Sequence, residues 1–217
     1  MDFNVTENKL RKLHNVYAKL DQKVKYEKDD DILSENELRD VEIKIGCSIP
    51  SSLRSVFLNF SKKIIFSAYL PEDFGLDDKL KEIFSADFSI SIEELVEAEM
   101  SRRSWVEGCF SNPEDLYDKV WHDKLGFMTV ANGDIIAFDL NDTKEDKKVV
   151  YLSHDDGREH GYILGESFEE YFTNLLLIGA CGNEGWQMSP FISDSISGLN
   201  PNCDNARKYR KMIGLYW

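Results

Sequence analysis

Long apolar runs are missing from this sequence. The longest, such as residues 175–180, fall far short of the roughly 20 residues that a membrane-spanning helix needs. Residues 1–4, Met-Asp-Phe-Asn, lead into charged positions with no apolar h-region, so no export signal is read. No membrane association and a cytoplasmic location are therefore expected. Cysteine is sparse. Cys47, Cys109, Cys181 and Cys203 are four in 217 residues, and none has the CxxC spacing of a metal site. That density does not make a disulfide scaffold, and reduced thiols are the simpler expectation.

Positive charge is also short. Lys plus Arg number 26 against 40 Asp plus Glu, for a net charge of −14. Such a surface repels nucleic acid and anionic lipid and attracts basic partners. Direct nucleic-acid binding is therefore not expected. An acidic balance also keeps many proteins soluble without any electropositive partner. Enzyme signatures are absent: there is no GxSxG elbow, P-loop, HExxH or GxGxxG. No internal repeat or low-complexity segment occurs.

What is present suits a folded chain. Hydrophobic residues make up 42% and aromatics 12%, too rich for disorder, and the length is enough to bury a core. Leu10, Leu13, Tyr17, Leu20 and Val24 recur at three- and four-residue steps and predict a helix over 5–28. Ser34 and Glu37 have the spacing of a capping box, with Leu38, Val41 and Ile45 as the buried stripe and Gly46 as the stop. After Ile49-Pro50, residues 51–60 predict a third helix.

Strands are predicted at 64–70 and 88–92, the latter a strand or a lead into the next helix. The acidic segment between them, 71–88 at its widest, reads as an insertion. A helix follows over 92–106. Strands at 126–130, 134–140, 149–153 and 162–164 form a meander. Ser167 caps a helix with Phe168, Tyr171, Phe172, Leu175 and Leu176 inward. Beyond Gly179 the chain reads as irregular until a last helix over 205–213. Helices, then antiparallel strands, then helices argue an α+β fold. The whole of 1–217 reads as one domain, with an N-terminal helical extension over 1–33 and a C-terminal extension over 180–217.

The chemistry-bearing residues concentrate in 121–157. Ser153 to His160 holds two imidazoles and three carboxylates, so a metal or general base using His154, Asp155 and His160 is one alternative. Asp and Gly supply turn chemistry there without any fixed ligand spacing, so the run reads as a polar hairpin turn, with no metal and no cofactor. Trp121, beside His122, reads as a core-edge residue with its N–H satisfied, against a pocket-lining alternative. Asn132-Gly133-Asp134 reads first as a turn, since Asn and Gly tolerate positive φ. Glu93, Glu94, Glu97 and Glu99 form an acidic run that reads as a solvated helix face. In an interface they would match a basic partner.

Several segments together resemble a family. "ENELRDVEIKIGCSIPSSLRSVFLNFS" is similar to the N-terminal signature of the SUKH superfamily, in the branch of the yeast cell-wall assembly regulators (SMI/KNR type). The matching positions are Glu37, Leu38, Glu42, Gly46, Ile49, Pro50, Phe57 and Leu58. "FMTVANGDIIAFDL", "VVYLSHDDG" and "ILGESFEEYFTNLL" resemble its strand–turn–strand, Val-Tyr-x-x-His-Asp and capped-helix segments. The closing "GWQMSPF…GLNPNCDNARKYRKMIGL" resembles the tail of some bacterial members. The likeness covers most of 35–215, leaving 71–86 unaligned. It departs at Ser61-Lys62-Lys63, where the family usually has Asn-Gly-Gly.

The resemblance implies an α+β fold without catalytic residues. It also implies, for the bacterial branch, immunity proteins that neutralise toxins of contact-dependent or polymorphic systems, often nucleases. An acidic inhibitor can imitate a phosphate backbone, which agrees with the charge. Eukaryotic members act as regulatory scaffolds, the alternative reading. The expected partner-binding residues, chosen at strand ends and turns, are Trp121, Asp134, Asp139, His154, Asp155 and Asp156.

Overall fold

A computed structural model describes residues 1–20, 23–155, 157–193 and 196–217. The first helix, α1 (Phe3–Tyr17), starts where the Asp2 carboxylate accepts the Val5 N–H at 3.1 Å. It ends well before the expected residue 28. Residues Lys25–Lys28 instead form strand β1, with alternating exposure. Leu20 and Val24 do pack on the core as their spacing suggested, but from outside the helix. Cross-strand pairing with residues 64–67 captures the segment, and tertiary pairing overrides a weak local helical pattern.

Helix α2 (Glu35–Ile45) carries the expected capping box. Ser34 Oγ accepts from Glu37 N–H, and Glu37 Oε2 accepts from Ser34 N–H at 2.7 Å. Gly46 closes it at φ +75°, where a side chain would be strained. Helix α3 (Ser51–Asn59) follows Pro50 and buries Leu53, Val56 and Phe57. Strands β2 (Lys63–Tyr69) and β3 (Ser85–Ser91) complete a three-stranded antiparallel sheet in the order β1-β2-β3. Phe66 pairs with Phe88 there, their rings stacked at 5.6 Å. The expected insertion is thereby trimmed. Residues 85–88 belong to the sheet, and Leu80 and Ile83 in the loop before it are fully buried.

Helix α4 (Ile92–Gly108) and the one-turn α5 (Asp118–Trp121) lead to the meander β4 (Lys124–Thr129), β5 (Ile135–Asp139), β6 (Val149–Leu152) and β7 (Ile163–Gly165). Every β5 and β6 residue except Asp139 is buried, because both faces of this sheet are covered. Ile135, Ala137, Val150 and Leu152 pack with Ala98, Phe110 and Trp121 under α4 and α5. Ile136, Phe138, Val149 and Tyr151 point the other way, toward α6 (Phe168–Ile178) and the main core. Gly126 lets α4 approach β4: a Cβ there would stand 2.8 Å from the Ala98 carbonyl oxygen.

The described residues after Gly179 form regular elements rather than an irregular stretch. They hold α7 (Gly185–Met188), a 3₁₀ turn (Ser189–Phe191), the hairpin β8 (Ile192–Ser193) and β9 (Ile196–Leu199), and α8 (Asp204–Ile213). Cys181, Met188, Phe191, Leu199, Tyr209 and Leu215 join the same core as Leu10 and Leu13. The Tyr17 and Tyr209 hydroxyls meet at 2.8 Å, tying α1 to α8. The fold is thus α+β, with antiparallel sheets and helices packed on them, as the pattern of elements predicted.

Candidate functional site

The turn between β4 and β5 places Asp134 at the start of β5. Gly133 adopts φ +99°, and Asn132 Oδ1 accepts the Asp134 N–H at 3.0 Å, so the turn chemistry read from Asn132-Gly133 is realised. Asp134 itself is only 2% exposed. Its Oδ1 accepts from His154 N–H at 2.8 Å and faces His154 Nδ1 at 2.6 Å. Its Oδ2 accepts from Tyr151 Oη at 2.6 Å and from Asn132 Nδ2 at 2.8 Å. An ionised carboxylate offers about four acceptor sites, and here each has a donor.

The corner is braced from two sides. Tyr151 Oη accepts the Gly185 N–H at 2.9 Å, which pins α7 to the sheet. Burial, reinforced by the Asp134 carboxylate, pushes the Tyr151 hydroxyl far above the ordinary phenol range, so it stays a donor. The Trp105 indole of α4 lies 4.8 Å from the His154 ring and donates its N–H to the Gly133 carbonyl at 3.2 Å. Glu184, next to Gly185, is 8% exposed, and its Oε2 has no hydrogen-bond partner among the described residues. Burial first, then the carboxylates of Asp134, Asp87 and Asp155, raise its carboxyl to about 7.

The expected contact residues separate on this frame. His154 is partly exposed and Asp155 exposed, both at the Asp134 end of β5. Asp139 sits at the far end, roughly 16 Å away at the rise of an extended strand, and pairs with Lys124 Nζ at 3.1 Å. Trp121 is fully buried, stacked 4.8 Å from Phe110. Trp121 and Asp134 are therefore corrected from surface contacts to internal supports, because a side chain inside the core meets no partner. Trp121 is also deeper than the core edge, and its Nε1–H lacks a partner among the described residues. Asp156 lies outside the described residues.

The metal reading loses His160 as well. Its Nδ1 accepts the Ser153 N–H at 3.0 Å, leaving Nε2 to donate to the Tyr117 carbonyl at 3.0 Å, while the ring stacks on Tyr117. Asp134, His154 and Asp155 do bring ligand atoms within 4.8 Å of one another. An ion there would have to displace hydrogen bonds that already saturate Asp134. The chemistry of this donor set fits a structural hydrogen-bond hub better than a metal centre.

The acidic run on α4 also divides. Glu99 is buried and bonds Arg102 Nε and Nη2, both at 2.8 Å, and the Gly126 N–H at 3.0 Å. Burial raises its carboxyl, but the Arg102 guanidinium outweighs it, and the group ends below its ordinary value. Glu94 accepts from Thr129 N–H and Oγ1 at 2.8 and 2.6 Å. Glu93 and Glu97 remain exposed and make no ion pair among the described residues.

Those two carboxylates rim an open groove of about 870 Å³ between α2 and α4. Val41 and Lys44 form one wall. Ile92, Val96, Met100 and Trp105 form the floor and the other wall. Arg103 fixes the spacing of the helices by donating to the Ile45 carbonyl while holding Glu99 at 2.7 Å. The sequence reading missed this groove. Its signal was a second apolar stripe at i, i+4 and i+8, Ile92, Val96 and Met100, of which the first two are only partly buried and the third is exposed. Trp105 joins groove and polar corner, since it lines the first and stacks on His154 in the second.

No helix among the described residues is long and apolar enough to cross a membrane. No curated protein and no solved structure gives a significant match. A family model does match, over residues 32–174, from the approach to α2 into α6, taking in both groove helices and the Asp134–His154 corner. The chain belongs to the SMI1 / KNR4 family (SUKH-1).

Proposed function

We propose that this protein is a non-enzymatic binding protein of the immunity type, which neutralises a basic toxin such as a nuclease in the cytoplasm. The observation that carries the reading is the open, apolar, acid-rimmed groove between α2 and α4, beside a polar corner whose central carboxylate, Asp134, is already saturated. A groove with free apolar surface and unspent charge suits recognition, whereas saturated polar groups suit structure. The net charge of −14 supports a basic partner by steering and by charge complementarity. His154 and Asp155, next to Trp105, are proposed as polar contacts at the groove end. No cofactor or metal is assigned.

Co-expression with each toxin encoded beside its gene tests the proposal. Restored growth, with the toxin retained by the tagged protein, is the expected result. Protection from none of them overturns the immunity reading, and retention of an endogenous protein instead favours a regulatory scaffold. Metal analysis tests the non-enzymatic part. A stoichiometric ion that is lost in His154→Ala would overturn it.

A further inference from the structure

Building on the protein-binding reading above, we propose that the α2–α4 groove receives a basic amphipathic helix of the partner. Three observations select that occupant. The first is shape. Ile92, Val96 and Met100 recur every four residues along α4, so they present a ridge inclined by about 26° to the helix axis, of the kind an incoming helix packs against. From Ile92 to Trp105 the lining extends about 20 Å at the helical rise, the length of an inserted helix of three to four turns.

The second is the state of the sheet edges. An extended peptide would need a free strand edge, and β1 is four residues long with Lys25, Glu27 and Lys28, while β7 has only three residues. The longer edges β3 and β4 are covered, since Ser89 N–H of β3 donates to Met128 Sδ and the Gly126 and Thr129 N–H groups of β4 donate to Glu99 and Glu94. Short, charged edges resist strand addition. The third is charge. Glu93 and Glu97 stand one turn apart on the rim without ion-pair partners among the described residues. Lys44 on the facing wall leaves these three rim groups net negative. An incoming helix with Lys or Arg flanking an i, i+4, i+7 apolar stripe satisfies both rim and floor. Trp105 closes one end, held by its bond to the Gly133 carbonyl, and is the rigid aromatic anchor that interfaces favour.

The test uses the full chain and a fluorescent amphipathic Leu/Lys helix of about 18 residues as probe, with a Leu/Glu helix of equal length as its counterpart. The Leu/Lys helix is expected to bind and to shift the Trp105 indole N–H resonance, while the Leu/Glu helix does neither. Met100→Glu is the decisive variant, because Met100 is already 59% exposed and the change adds negative charge. General attraction to an acidic surface would tighten binding, whereas docking in the groove weakens it by about tenfold or more. Glu93→Lys with Glu97→Lys is expected to weaken it similarly, and Glu72→Lys with Asp73→Lys, which do not line the groove, to change it little.

Equal binding of both probes, or binding undiminished in Met100→Glu, overturns the groove assignment. These outcomes separate from those of the toxin test. If wild type and Met100→Glu protect cells equally well, the protein-binding reading stands and the partner sits elsewhere.

Discussion

The polar corner at Asp134 and the groove at Met100 lie on either side of Trp105, and they differ in what is left over. At the corner four donors meet one buried carboxylate, and Asp134 has no acceptor site to spare. In the groove Glu93 and Glu97 face solvent with no ion-pair partner among the described residues, and Met100 is 59% exposed beside the partly buried Ile92 and Val96. The residue types mislead on this point. A His-Asp-Asp run looks reactive, and a helix with Ile, Val and Met looks like core. Satisfied polar groups hold a fold together, and unsatisfied apolar surface is what a partner can still stabilise.

The comparison can be broken by substitution. Trp121→Ala, at the hub of aromatic packing behind the corner, should lower unfolding free energy by about 4 kcal/mol, as large-to-small core changes do. Asp134→Ala should cost about 3 kcal/mol, because Tyr151 Oη and the His154 N–H lose their buried acceptor. Both are measured by urea unfolding. If Asp134→Ala were neutral for stability yet abolished partner binding, the division between structural corner and binding groove would be wrong.

Glu184 sharpens the contrast through pH. Its carboxyl rises from 4.5 to about 7 on folding, so the folded chain holds a proton that the unfolded chain releases. Its stabilising contribution is therefore fully present below about pH 4.5 and is lost as pH climbs toward 7. Glu184→Gln should flatten that decline in denaturation curves taken across the window. The smallest effect is expected at Met100→Glu, within about 0.5 kcal/mol of wild type in stability, as for an exposed substitution. Its consequence should appear in binding alone.

Much of the framework was legible in the residues. Ser34, Glu37 and Gly46 act through neighbours a few positions away, so the helix they bound was readable. The strand at Ile135–Asp139 and the helix capped by Ser167 were equally plain, and so was the likeness to the family. The helix drawn through residue 28 failed because β1 is held by a strand nearly forty positions later. The segment after Gly179 looked irregular because its partners lie across the core: Gly185 bonds Tyr151, and Tyr209 meets Tyr17.

The candidate site divides in the same way. The sequence by itself determined that the chain is acidic, that Asn132-Gly133 turns, and that α2 and α4 exist with apolar stripes. Only the tertiary structure decided which of those polar groups are spent. Glu94 and Glu99 are consumed by Thr129, Arg102 and Gly126, while Glu93 and Glu97, a residue or two away on the same helix, are not. The physical reason is directional. A helix turns 3.6 residues per revolution, so adjacent positions face different surroundings, and only packing against α2 and β4 tells which face is closed and which remains open.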